Sequence, residues 1–365
     1  MRNAAALATL ILLLAPGIAG AQVTVEEPSF EDSVFRARVL EVHAVKERVV
    51  TATRSVETVQ DLSVEIIEGP RSGEHVQVEN SSGVLLEPGD AFYLHRIDAP
   101  EGELWSVGEP DRRWVLFALA AAFVLVTVLV AGKSGALAVL SLLGSFAIIV
   151  FGLAPALLAG ASPVLTCVAL ATLILVFSMF VTHGINRPTF VALLGGIATL
   201  AVSAVIAEAA VELAKLSGFV SDEVVYLNFA SRGTLDLSGL LLGGILIGIV
   251  GVLNDISVSQ VHTVAEIHEA NPSLSRKEVL MRAMRVGKEH VGAVVNTLPL
   301  AYAGSALPLI MLFSVSASPF LYIVNREVFA AEAIRIFAGG IALSLSGAIA
   351  TLLAVLLLIR KDVRS

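Results

Sequence analysis

The chain has 365 residues, 56% hydrophobic and 15% charged, with a formal net charge of -8 and a mean hydropathy of +0.84. That balance excludes a soluble globular protein of this length and reads as an integral membrane protein. A single cysteine, Cys167, excludes an internal disulfide and a cysteine-based zinc site.

Residues 1–21 have the layout of a secretory signal peptide. Arg2 gives a positive start, residues 7–14 are apolar, and Ala19-Gly20-Ala21 is a small-residue exit before Gln22. The apolar part is too short to span a bilayer comfortably, and cleavage would leave Gln22 outside the cytoplasm. Residues 22–112 change to alternating, β-branched segments. They predict strands near 34–45, 61–68, 74–79, 91–97 and 104–107, with turns at Gly69-Pro70, Pro88-Gly89-Asp90 and Glu101-Gly102. This is a small extracytoplasmic all-β, barrel-like domain. It shows no basic groove with interleaved aromatics, so nucleic acid is not an expected partner, and docking a protein or covering the membrane domain suits it better.

Residues 113–365 read as an α-helical polytopic membrane domain. Apolar runs at 114–131, 136–154, 163–181, 190–207, 237–253, 291–313 and 334–359 predict about seven transmembrane helices. With the mature amino terminus outside, ten lysines and arginines fall in cytoplasmic segments (Lys133, Arg187, Arg276, Lys277, Arg282, Arg285, Lys288, Arg360, Lys361 and Arg364). Three, Lys215, Arg232 and Arg326, fall in short outer loops. The positive-inside rule expects that bias and places the carboxyl terminus in the cytoplasm. Glycine pairs at 195–196, 243–244 and 339–340 read as helix-packing points, and Gly244 with Gly248 forms a small-x-x-x-small face. Gly251 adds to a fifth span that can be approached closely or broken.

Asp255, at the end of the 237–253 run, is the most informative residue. A charge at membrane depth costs roughly 2.5 to 3.5 kcal/mol on insertion scales. If the helix continues, Asp255, Ser259, His262 and Glu266 share one face, while Val258, Val261 and Ala265 lie on another. The amphipathic segment, 256–290, turns at Asn271-Pro272. It restarts with a Ser275/Glu278 capping box and a Leu274/Val279 staple, then carries Arg276, Lys277, Arg282, Arg285 and Lys288 to His290. Its basic face suits lipid headgroups, and Arg285 and Glu289 stand at helical pairing distance. The sixth span contains Asn296, Thr297 and Tyr302 among Pro299, Gly304 and Pro308. The prolines predict two kinks, and the polar side chains are expected to face inward, with Asn296 bonding to Asp255.

The runs Gly-Val-Leu-Asn-Asp-Ile-Ser-Val-Ser-Gln (251–260), Glu-Ile-His-Glu-Ala-Asn-Pro (266–272), Ala-Met-Arg-Val-Gly-Lys-Glu-His (283–290) and Asn-Thr-Leu-Pro-Leu-Ala-Tyr-Ala-Gly (296–304) resemble the YibE/YibF-like family of multi-pass bacterial membrane proteins. Asp255, Gly287, Asn296, Thr297, Tyr302, Gly304 and Pro308 match its pattern directly. Asn254 and Gln260 stand where its branches differ, and Pro299 replaces a residue that is more usually aliphatic. The likeness extends loosely over most of the mature chain. It implies a bacterial cytoplasmic membrane protein and leaves the activity open.

No phosphate loop, nucleophile elbow or His-Glu-x-x-His helix is present in the sequence, and His262, Glu266, His268 and Glu269 do not share one metal-binding face. The expectation is therefore a transporter or exporter rather than an enzyme, with no cofactor and no metal. Asp255 would exchange a proton or cation, with Asn254, Ser259, Gln260, His262, His290, Asn296, Thr297 and Tyr302 as its polar surroundings. The alternative is a sensor or assembly factor that binds partners through the β domain and the basic helix. Membrane lipids are expected partners in either case, and glycine faces permit a homo-oligomer or a membrane partner protein.

Overall fold

The computed structural model describes residues 33–50, 55–99 and 102–359. The expected signal peptide and the basic tail from Arg360 lie outside the described residues. The described residues divide into two compact units, one up to Val126 and one from Thr127.

The first unit holds β1 (Ser33–Val50), β2 (Ser55–Ile66), β3 (His75–Asn80), β4 (Ala91–Ala99) and β5 (Gly102–Pro110), each close to an expected strand. They form one antiparallel sheet in the order β3-β2-β1-β4-β5. Period-two alternation sorts the faces: in β3, Val76, Val78 and Asn80 are buried and the residues between them exposed. Phe35, Leu62, Val64, Ile66, Phe92 and Leu94 join these valines in one core. Register shifts in β1 after Val39 and Val42 bend the sheet, and its edge strands β3 and β5 come into contact. Two buried amides hold the 81–90 loop. Asn80 Nδ2 donates to Gln60 Oε1 (2.8 Å), and Gln60 bonds both polar backbone groups of Leu86 (3.0 and 2.9 Å).

Helix α1 (Arg113–Ile148) follows, continued by a π-helical turn at Ile149–Leu153 and by α2 (Ala154–Leu158). The first two expected spans are thus one helical stretch, with a non-helical residue, Gly132 (φ 58°, ψ -132°), between them. That φ is open to glycine at little steric cost. Then come α3 (Pro163–His183), α4 (Arg187–Leu213), α5 (Asp222–Ala230), α6 (Leu237–Ala270), α7 (Arg276–Val294), α8 (Thr297–Ser305), α9 (Leu307–Val315), α10 (Phe320–Val324) and α11 (Glu327–Leu358). Five helical stretches are long and apolar enough to cross a membrane, or six if the bent pair ending in α9 is one span.

Helix starts follow local chemistry. Asn186 accepts from the Thr189 N–H (2.8 Å), Asp236 accepts from Gly239 N–H (2.9 Å), and the expected Ser275/Glu278 capping box is present. In the second unit α4, α6 and α11 pack mutually, α3 lies on α4 and α6, and α7 on α6 and α11. Ile245, Leu246, Ile249 and Leu253 of α6 are fully buried at the centre. The glycine pairs act as packing points: a β-carbon on Gly195 would lie 3.2 Å from Ala350, one on Gly339 2.6 Å from Leu298, and one on Gly243 would collide with Cys167. Gly244, Gly251 and Gly304 have nothing within 4 Å of such an atom, so the expected Gly244–Gly248 face makes its contact at Gly248 alone.

Candidate functional site

Helix α6 does continue past Asp255 to Ala270. Asp255, His262 and Glu266 are exposed on it and Ser259 is half-buried, while Val258 and Val261 are buried. The face predicted by the four-three-four spacing is therefore real. Asp255 receives one hydrogen bond, from Asn254 Nδ2 at 3.4 Å. His183, the last residue of α3, and His290, near the end of α7, lie within electrostatic reach of its carboxylate. The His183 ring is 6.4 Å, centroid to centroid, from that of His262. Three helices thus bring titratable groups to one end of the bundle. Among the described residues no three His, Cys, Asp or Glu side chains come together in a way that could hold a metal ion.

Asn296 does not bond to Asp255, contrary to the expectation from sequence, and Asn296 and Thr297 are exposed rather than turned inward. The reason is where the helix breaks. The α7–α8 interruption falls at Val295 and Asn296, so Pro299 occupies the first turn of α8, where a missing N–H costs no helical bond. Thr297 Oγ1 instead donates to Val294 O (2.5 Å), closing the interruption. Pro308 likewise sits in the first turn of α9, and the chain bends by 66° at Ala306. Both prolines mark breaks, each placed just ahead of the ring.

Tyr302 is the member of the sixth-span polar set that does face the bundle. Its hydroxyl touches α6 at Gly248, so closely that a β-carbon there would collide with it. Arg335 of α11 lies over its ring at 5.7 Å and pairs with Glu332 one turn earlier on the same helix. Both charged side chains are mostly buried, 23% and 25% exposed. The expected last span starts at Ile334, which keeps Arg335 but leaves Glu332 outside it, so the two are not read as a pair. The signal was two opposite charges three residues apart in an apolar run.

Gln260 is 1% exposed and sits where α6, α7 and α11 meet. Its Oε1 accepts from Thr351 Oγ1 (3.0 Å), and the buried Ser257 and Ser346 hydroxyls bond at 3.0 Å on the same seam. Gly287 of α7 makes room for it: a β-carbon there would stand 2.9 Å from Gln260 Oε1. Ser346 and Thr351 were also missed, since single hydroxyls in an apolar span carry little pattern.

Long apolar helices, one of them broken beside a glycine-rich neighbour and joined by a buried polar seam, define a helical bundle with at least five helical stretches long and apolar enough to cross a membrane among the described residues. The chain belongs to the YibE/F-like protein family, whose profile matches residues 119–360 and leaves the β-sheet outside the match. No curated protein and no solved structure matches it.

Proposed function

We propose that this protein is a transporter or exporter of the bacterial cytoplasmic membrane. The observation that carries this reading is the 66° break at Ala306 in a helix that touches the glycine-rich α6 through Tyr302 and Gly248. Interrupted spans leave helix ends and free backbone groups at membrane depth, and transporters use such ends to hold solutes. Asp255, with His183 and His290 within electrostatic reach, is the proton- or cation-exchanging group. A turn at Gly132 gives seven crossings. The loop charges then put the β unit outside and the carboxyl terminus in the cytoplasm. Lipids contact the apolar helices, and the protein acts alone or as a homo-oligomer.

The test compares solute and metal content in cells with the wild-type protein, with Asp255→Asn, or with neither. At least one solute should change with the wild type and revert with the variant. Identical contents in all three would refute the proposal.

A second reading, a sensor or assembly factor, is favoured by the exposed side chains of Lys277, Arg282, Arg285 and Lys288 on α7. They make no ion pair among the described residues, the expected Arg285–Glu289 pair included. An obligatory crosslinked partner together with no change in solute content would support it.

A further inference from the structure

Glu332 is a charge in a helix apolar enough to cross a membrane, and half of its carboxylate is unused. Oε1 accepts from Arg335 Nη1, while Oε2 is buried without a hydrogen-bond partner among the described residues. A buried acceptor left unpaired costs about 1 to 3 kcal/mol, more when charged, so such an oxygen is suited to a donor that comes and goes. Arg335 has a second partner in the same position, because its guanidinium already lies over the Tyr302 ring while it pairs with Glu332, and both charges are within electrostatic reach of the Tyr302 hydroxyl.

The pair lies far from Asp255. The Ser257–Ser346 and Gln260–Thr351 bonds align α6 and α11 with an offset of 89 to 91 residues. Carried along the helices, that offset sets Glu332 near Leu242, roughly 20 Å from Asp255 at the rise of an α-helix. The two acids are separate stations on one bundle.

We propose that Glu332 is a cation-binding site. Its free oxygen takes a small monovalent cation or a protonated amine, and Arg335 gives up its bond to Glu332 while keeping its place over the Tyr302 ring. When the cation leaves, the internal pair closes again, so the carboxylate is never left uncompensated, a condition that would be strongly unfavourable in a dry interior. The inference deepens the transport reading and rests on its membrane placement, but its test needs no flux.

Thermal unfolding of the purified full-length protein is followed while sodium or methylammonium chloride replaces N-methyl-D-glucamine chloride at constant ionic strength. One of the two cations should raise the wild-type melting temperature saturably, and Glu332→Gln should abolish the rise. Arg335→Gln removes the internal competitor and should lower the half-saturating concentration about tenfold, the worth of roughly one charge-assisted hydrogen bond. Glu269→Gln, an exposed carboxylate near the end of α6, should respond like the wild type. A purely structural pair predicts lower melting temperatures for both variants with unchanged cation responses, which would overturn the proposal, as would a wild type that responds to neither cation. Should Glu332→Gln fold poorly, the opposite shift expected of Arg335→Gln decides. Loss of the response in Asp255→Asn alone would move the cation to Asp255, ending this inference while leaving the transport reading intact.

Discussion

The Tyr302 hydroxyl occupies the space that a β-carbon on Gly248 would need, and so brings the broken helix α8 into direct contact with α6. The atom in the way sits at the end of a phenol ring, which has only two side-chain torsions with which to yield. Gly248→Ala should therefore lower the melting temperature of the purified protein, with overpacking of about 1 to 3 kcal/mol exceeding the helix-propensity gain of about 0.5 to 1 kcal/mol. Tyr302→Phe in the same chain should recover part of the loss. Gly251→Ala, where a β-carbon meets nothing within 4 Å, should be neutral or stabilising. Equal effects of the two alanines would disprove the contact.

Arg276 caps α11. Its Nε and Nη2 donate to Ile359 O (3.0 and 2.5 Å) and Nη2 also reaches Leu356 O (3.2 Å), which satisfies carbonyls that the helix end leaves open. Arg276→Ala should cost about 1.5 to 3 kcal/mol, the range for bonds involving a charged group. Lysine should rescue it poorly, because the fork serves two carbonyls at once. Faster hydrogen exchange confined to the last turn of α11 and the first of α7 would confirm the role, and unchanged protection would reject it.

Elements with strong local chemistry were legible in the sequence: the five strands from their alternation, the Ser275 box from its spacing, the exposed face of α6 from the Asp255 to Glu266 pattern, and the Tyr302 side chain as an inward group. What failed was long-range. Whether Asn296 reaches Asp255 depends on where a helix breaks relative to Pro299, a choice set by tertiary packing. The partners Thr351 and Ser346 lie about ninety residues from Gln260 and Ser257, beyond any local period. The Glu332–Arg335 pair was split by an expected span start at 334, seven residues after the helix begins at Glu327, because helix ends are the part of a pattern read least sharply.

The Gln260 seam gives opposite expectations for two neighbouring changes. Gln260→Leu loses the bond to Thr351 but also removes Nε2, a buried donor without a partner among the described residues. Its net cost should stay below about 1 kcal/mol, because replacing a half-satisfied polar group is cheaper than stranding one. Gly287→Ala pushes a methyl toward Gln260 Oε1 and should cost about 1 to 3 kcal/mol. Melting temperatures that rank Gly287→Ala above Gln260→Leu would show that α7 is not seated on the glutamine.

Asp111, just ahead of α1, links the sheet to the helix start through charge. Its carboxylate pairs with Arg113 (2.9 Å) and Arg36 (2.7 Å) and accepts the Arg113 backbone N–H (3.1 Å). The side-chain bond from Arg113 holds the carboxyl well below its ordinary 3.8, at about 2, against a burial that opposes ionisation. A folded-state value below the unfolded one means a contribution fully present above about pH 4 and lost as the pH falls through about 2. Trp105, packed on Phe35 at 5.8 Å, reports on this unit, and Trp114→Phe leaves it the sole tryptophan of the two. In that background the denaturant midpoint from Trp105 fluorescence should fall between about pH 4 and pH 2. Adding Asp111→Asn should lower the midpoint at pH 7 and remove this carboxyl's share of the fall. A variant that tracks its parent at every pH would show that the carboxylate is not held by the two arginines.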